Sequence, residues 1–342
     1  MKGLAFAVKA LISALALYLA FRLVHVTELQ QRFYRLDLAW IVAAQTALVV
    51  QIVLAAARWQ IIAEWCGAEL MMLQSLRFTL IGAFFSQTLP STIGGDAARM
   101  WFLARAAGHS KPAVYSVLMD RAAGLFWLAA LVLVCLPWSM HLIESPVGRA
   151  ALVLIGVGGV AGPLVLFALT QAGRKTLGRW RVTRHLTEIL AVAWTTLTSR
   201  RAGVSISAIS ITIHLMSVLL VWFTAKAIGS PLGLVQSMLL VPPVILIAAI
   251  PISIAGWGVR EGAMITAFSY AGLQESDALA ISVLFGAGAF IIGAIGGLVW
   301  ILSPDRKRPA PPQNREELRG DPSLRAATTR RPPASQPDRT ST

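Results

Sequence analysis

Six charged residues stand in stretches otherwise apolar enough to sit in a membrane: Asp96, Arg99, Asp120, Arg121, Arg260 and Glu261. An ionised side chain at the centre of a membrane helix costs about 2.5–3.5 kcal/mol on insertion scales, so such residues mark a transport pathway or a paired network. Arginine presents a planar fork of donors suited to phosphate. Arg99, Arg260 and Arg121 are therefore the candidate substrate-binding residues. Asp96, Asp120 and Glu261 are the candidates for pairing with them or for coupling charge. Three positive charges against three negative also fit a purely structural network, and both readings stand at this point.

Two of the arginines close a repeated motif. The segment Pro90-Ser-Thr-Ile93-Gly-Gly95-Asp-Ala-Ala-Arg99 returns as Pro251-Ile-Ser-Ile254-Ala-Gly256-Trp-Gly-Val-Arg260, with the shared pattern P-x-x-I-x-G-x-x-x-R. Proline and glycine interrupt the helical ladder, and irregular backbone at membrane depth survives only where protein buries it or where it lines a wet cavity. Pro90, Gly94 and Gly95, and likewise Pro251, Gly256 and Gly258, are expected at the tips of two broken hairpins. Arg99 and Arg260 would then lie in matching places one turn into the returning half-helices. A helix N-terminus with free N–H groups, next to a guanidinium, suits an anion. The alternative is that each arginine only pairs with a nearby carboxylate.

Asp96 precedes the first returning half-helix and has the chemistry of an N-cap. Trp257 occupies the equivalent place in the second copy, so whatever Asp96 does is not duplicated. Asp120 and Arg121 are neighbours on one span and must point in different directions. One is expected to join the first hairpin and the other to reach the second. His214 is either a proton relay or a hydrogen-bonding contact to a neighbouring helix. There is no nucleophile elbow, nucleotide-type phosphate loop or His/Cys metal spacing, so no catalytic residue, metal or cofactor is expected and the chain is not read as an enzyme.

The elements that must hold these groups are membrane helices. Hydrophobic residues form 56% of the 342-residue chain and charged residues 13%, which excludes an ordinary soluble domain. Apolar runs fall at 4–21, 38–57, 77–90, 113–136, 150–170, 203–225, 234–254 and 279–302. The net charge of +14 gathers beside these runs, so a nucleic-acid partner is not expected. The loop at 171–202 carries seven Lys or Arg, and the tail after Ser303 carries nine; both are expected to be cytoplasmic. Three full crossings between them would put them on opposite faces, so not every run crosses. Making each Pro-Gly motif the tip of a re-entrant hairpin resolves this, with 77–89 and 96–107 in the first and 234–250 and 258–273 in the second. Six full spans remain and both termini are cytoplasmic. The hairpins then enter from opposite sides, which makes an inverted repeat of the kind used by secondary transporters.

The predicted fold is thus an all-α membrane protein: a polytopic domain over 1–302 and a disordered basic tail over 303–342, which has eight prolines and no aromatic residue. The first run is read as a retained helix rather than a signal peptide. Residues 176–199 read as a helix lying on the inner surface, and Arg306-Lys307-Arg308 as an attraction for anionic headgroups there. Gly158/Gly162 and Gly293/Gly297 have the spacing for close helix packing. Cys66 and Cys135 form no recognisable framework.

In Leu89-Pro90 leading to Gly94-Gly95-Asp96 and Arg99, in Asp120-Arg121 with Gly124, and in Pro251 leading to Gly256, Gly258, Arg260 and Glu261, the chain resembles a flippase-like membrane family. That family includes the transmembrane part of lysylphosphatidylglycerol synthase, and the resemblance covers roughly 5–302. Ser91 and Ser86-Gln87 depart from the pattern in a minor way. The resemblance implies a multi-pass plasma-membrane protein that moves an anionic or aminoacylated phospholipid or glycolipid between leaflets. It further implies a membrane lipid as partner; a homo-oligomer or a lipid-modifying enzyme partner is a separate expectation. Rival readings are a secondary transporter of a soluble anion and an accessory subunit of a lipid-modifying enzyme.

Overall fold

The computed structural model describes residues 36–88, 93–143, 145–172, 198–250 and 256–303, with 18, 32–34 and 195 besides. Among the described residues there are nine helices and no strand: α1 Leu38–Trp65, α2 Met72–Thr88, α3 Ile93–Ala107, α4 Ser110–Leu142, α5 Pro146–Ala172, α6 Arg200–Ala227, α7 Leu234–Ala248, α8 Val259–Ser269 and α9 Glu275–Leu302. Five of them, α1, α4, α5, α6 and α9, are long and apolar enough to cross a membrane. Outward-facing Val134, Leu154, Phe290 and Leu298 are each exposed by more than half. Such a surface is stable against hydrocarbon and unstable against water. The molecule is a multi-pass membrane protein.

The expected spans at 38–57, 113–136, 150–170, 203–225 and 279–302 each fall within one of these helices. Apart from Tyr18, Thr195, Thr198 and Ser199, the expected span at 4–21 and the surface helix at 176–199 lie outside the described residues, as do the tail with Arg306-Lys307-Arg308 and both proline tips, Pro90 and Pro251. The helices run longer than the apolar runs because their ends carry polar caps. Asp37 accepts from the Ala39 N–H at 2.9 Å to start α1, and Ser199 accepts from Ala202 N–H at 3.1 Å to start α6. Pro137, Pro163, Pro242 and Pro243 are accommodated inside α4, α5 and α7. Proline is tolerated in membrane helices where neighbours and local adjustments re-satisfy the freed carbonyls.

Four helices are shorter: α2, α3, α7 and α8 have 17, 15, 15 and 11 residues. They pack as two pairs, α2 on α3 and α7 on α8, and each pair has its own apolar core. Around the first, Trp59, Phe78, Phe102, Leu103 and Val117 are buried, with the Phe78 and Phe102 rings stacked at 5.4 Å. Around the second, Val221, Leu240, Val244, Met264, Phe268 and Leu279 are buried. The α2/α3 crossing depends on two glycines: a Cβ on Gly95 would overlap Ser86 Oγ and the Gly82 carbonyl, and one on Gly82 would lie 3.0 Å from Arg99 Cγ.

Glycine also joins α2 to α9. Added Cβ atoms at Gly293 and Gly297 would meet Gln87 and the Phe84 ring at 3.1 and 2.8 Å, and one on Gly296 would overlap the Leu80 carbonyl. The packing role expected of Gly293/Gly297 is therefore present. That of Gly158/Gly162 is not seen among the described residues, none of which approaches either; Gly156 and Gly159, on another face of α5, approach Leu133 and Ala129 of α4 instead. A four-residue spacing fixes which glycines share a stripe and leaves open which stripe meets a neighbour.

Candidate functional site

The two copies of the Pro-Gly motif have different backbones. In the first, Gly94 and Gly95 are helical, because α3 starts at Ile93. In the second, Gly256 and Gly258 take φ of 79° and 86°, in the left-handed region that excludes most side chains, and α8 starts only at Val259. Arg99 is consequently nearly two turns into its helix and Arg260 is in its first turn, which corrects the matched placement expected from sequence. Asp96, already inside α3, does not act as an N-cap.

What Asp96 and Arg99 do is enter an ionic network with α1 and α4. Asp120, with 3% exposure, accepts from Arg58 Nε at 2.8 Å and from Arg99 Nη2 at 3.0 Å. Arg121 Nε donates to Asp96 Oδ2 at 2.7 Å, and Arg99 Nη1 lies 3.7 Å from Asp96 Oδ1. Arg58 Nη1 donates to Ser210 Oγ of α6 at 3.1 Å. The Trp59 ring, 4.1 Å from the guanidinium carbon of Arg99, gives it a cation–π face. Asp120 and Arg121 thus both serve the first hairpin, correcting the expectation that one would reach the second. Facing directions on a helix are set by its crossing with neighbours, and both residues flank the edge where α3 packs on α4.

Arg58 was not among the sequence candidates. It follows the apolar run 38–57 and reads there as an interfacial residue, yet α1 continues seven residues beyond it to Trp65 and holds it buried. A tryptophan directly after an arginine at the end of an apolar run was the available signal.

These groups line one cavity of about 310 Å³. Gln51 and Arg58 of α1, Thr79 and Ser86 of α2, Asp96 and Arg99 of α3, Asp120 and Arg121 of α4, and His214 and Ser217 of α6 supply its polar wall. Ile245 and Ala249, at the C-terminal end of α7, close the apolar side. His214 meets the Gly124 carbonyl through Nε2 at 2.9 Å, the helix-to-helix contact that was one of its two expected roles. A carbonyl can only accept, so this nitrogen carries the proton.

Arg260 and Glu261 are not among the residues lining this cavity. Glu261, with 0% exposure, accepts from Arg260 Nη2 at 2.6 Å, from Ser282 Oγ at 2.8 Å and from the Gly258 N–H at 2.5 Å. Arg260 Nε also reaches Ser282 at 3.0 Å, and its guanidinium lies over Trp257 and Phe285 at 4.9 and 5.2 Å. The pair locks the turn before α8 onto α9. Arg99 and Arg260, both expected as substrate-binding residues, are held in separate networks.

The cavity is not self-satisfied. Three arginines, Arg58, Arg99 and Arg121, face two aspartates, Asp96 and Asp120, which leaves one guanidinium over. Four buried polar atoms of lining residues have no hydrogen-bond partner: Gln51 Oε1, Thr79 Oγ1, Asp96 Oδ1 and Arg99 Nε. Buried polar groups are satisfied in the great majority of cases, so the polar wall of this cavity is under-satisfied by its own residues. Among the described residues there is no cluster of His, Cys, Asp or Glu suited to a metal ion.

Comparison with known proteins yields one family. The model described as the lysylphosphatidylglycerol synthase TM region matches residues 6–297. No curated protein and no solved structure matches the chain.

Proposed function

The chain belongs to the lysylphosphatidylglycerol synthase TM region family, and from that premise we propose that it moves an anionic lipid between the leaflets of the plasma membrane. The headgroup occupies the cavity of Arg99, Arg121 and Arg58 while the acyl tails stay in the surrounding hydrocarbon. The observation that carries this reading is the excess of arginine at the cavity: buried Arg58 and Arg99 and half-exposed Arg121 stand against two carboxylates, and a phosphodiester supplies the further negative charge such a set can accept. Asp96 and Asp120 hold the three arginines in place and keep the surplus at one. Arg260 and Glu261 fix the second hairpin, which forms the far wall.

In this reading α2/α3 and α7/α8 are re-entrant hairpins entering from opposite sides, within six full spans and with both termini cytoplasmic. Support comes from their length, since a crossing needs about 20 residues, and from the cavity having walls from both pairs. Broken helices meeting at a polar site are the usual architecture of carriers built from inverted repeats. The protein performs translocation and no covalent step.

The test is leaflet exchange in liposomes containing headgroup-labelled anionic lipids, with wild type beside Arg99→Ala. Exchange accelerated by wild type and lost in the variant is the expected result. Folded wild type that accelerates no lipid refutes the reading. If it instead takes up a soluble organic anion, the cavity serves a soluble substrate.

A further inference from the structure

A second cavity, of about 370 Å³, lies between α5, α7 and α8. Pro243, Val244 and Ile247 of α7 border it, whereas Ile245 and Ala249, on the opposite side of that helix, border the polar cavity. From α8 it takes Gly258, Gly262, Thr266 and Tyr270, one residue per turn, so it runs the length of that helix, about 18 Å at 1.5 Å per residue. The facing surfaces are small: Gly148 and Ala151 of α5 stand across from Gly262, Ala263 and Ala267 of α8. Small residues on membrane helices usually let two backbones close up. Here they stay apart, and a Cβ added to Gly262 would meet no described atom within 4 Å. Both ends of α8 are propped. Tyr270 packs with Val132, Ile143 and Leu152, its hydroxyl 3.0 Å from where a Cβ on Gly148 would stand. At the other end, Arg260, Glu261 and Ser282 pin the first turn of α8 to α9.

The lining decides what can fill this slot. Thr266 and Tyr270 carry its only side-chain polar atoms, and a held water needs roughly two to four polar partners. Left empty, the slot would cost its lining atoms their packing contacts. It opens sideways at Ala151 and Thr266, both exposed, on a surface suited to hydrocarbon. Its end at Ile143 and Gly148 is the turn between α4 and α5, two helices of spanning length, and so lies at a membrane boundary. Arg149 stands at that end. Its Nε donates to the Ile143 carbonyl at 2.6 Å, and its exposed guanidinium has no ion pair among the described residues. We propose that the slot holds one acyl chain of a bound phospholipid, with the phosphate at Arg149 and the Tyr270 hydroxyl beside it. Such a lipid backs α7 from the side away from the polar cavity. This site is independent of the reading of that cavity as a headgroup site.

The experiment is photo-crosslinking of the full chain in liposomes, using subsaturating phosphatidylglycerol that carries a diazirine near the end of one acyl chain, with adducts mapped by peptide mass spectrometry. A chain in the slot brings the diazirine to its deep end, so Ile155, Ile247 and Val259 are expected to be labelled. Gly262→Leu fills the middle of the slot and should lower these adducts about tenfold, the worth of roughly two buried methylenes. Ala267→Leu narrows the same slot and serves if Gly262→Leu folds poorly. Gly158→Leu, an equal addition on an open face of α5, should leave them unchanged. Arg149→Gln keeps a donor for Ile143 and should lower them about two- to fivefold, the range of an exposed charge contact. Diacylglycerol with the same chain should label wild type as weakly as phosphatidylglycerol labels that variant. Adducts that survive both leucine substitutions in the slot, or that fall only on outward-facing residues such as Phe290, would overturn the site. Diacylglycerol labelling as strong as that by phosphatidylglycerol would overturn the phosphate contact and with it the assignment to a phospholipid.

Discussion

Arg260 and Arg99 should fail in different ways when truncated. Glu261 is fully buried, and its charge is compensated by Arg260 at 2.6 Å, with Ser282 and the Gly258 N–H as neutral donors. Arg260→Ala leaves that carboxylate ionised among neutral dipoles or forces it to take up a proton. Breaking one side of a buried pair typically costs about 3–5 kcal/mol. At 1.36 kcal/mol per decade this is about two to four orders of magnitude in the folded population. Glu261→Gln alone strands the guanidinium and should cost a similar amount. The double variant Arg260→Ala/Glu261→Gln removes both charges while the glutamine oxygen can still accept from Gly258 and Ser282. Its loss should be only about 1–2 kcal/mol, mostly the contacts of Arg260 with Trp257 and Phe285. Thermal unfolding and monodispersity in detergent, run with the leaflet-exchange assay, decide the matter. The double variant should be more stable than either single one and should still exchange lipid. An Arg260→Ala protein as stable as wild type but unable to exchange lipid would refute this reasoning and make Arg260 a ligand to the substrate.

Arg99→Ala should fold nearly normally, because Asp120 keeps Arg58 at 2.8 Å; exchange should fall about 10- to 150-fold, the loss of one charge-assisted contact. Gly95→Ala should cost about 1–3 kcal/mol by forcing α2 and α3 apart, measured as a lowered unfolding temperature. A Ser86→Ala background should not rescue it, since the Gly82 carbonyl still blocks the methyl. Single cysteines at the exposed positions Ser110 and Pro231 should label from opposite faces of sealed vesicles in a background lacking Cys66 and Cys135. Burial pushes the Cys66 thiol up to about 11. With only Cys66 present, maleimide labelling should therefore be slow at pH 7 and rise towards pH 11 as thiolate forms.

Composition made the membrane bundle legible, because hydrocarbon demands long apolar runs whatever the packing. The motif copies were legible too, but not their backbones. Gly94-Gly95 and Gly256-Trp-Gly258 look alike as interruptions, and only tertiary contact makes one a helical crossing and the other a left-handed turn. Asp96, Arg99, Asp120 and Arg121 were recognised because charge is conspicuous in an apolar run. Their pairing was not, since it depends on the rotation of α4 against α3. Gln51 and Thr79 gave no signal, because single uncharged polar residues are ordinary in membrane helices and become informative only when several face one cavity.

The glycine seam between α9 and α2 has a mechanical consequence. At Gly296 the α9 backbone comes directly against the Leu80 carbonyl of α2, and at Gly293 and Gly297 only Gln87 and the Phe84 ring lie between the two helices. Motion of α9 is transmitted to α2, and through the Gly82–Gly95 crossing to α3 with Asp96 and Arg99 aboard. The wall made by Ile245 and Ala249 stands on α7, whose principal neighbours are α4, α6 and α8. The cavity is thus framed like a vice, with one jaw riveted to the body and the other carried on a short, proline-bearing arm.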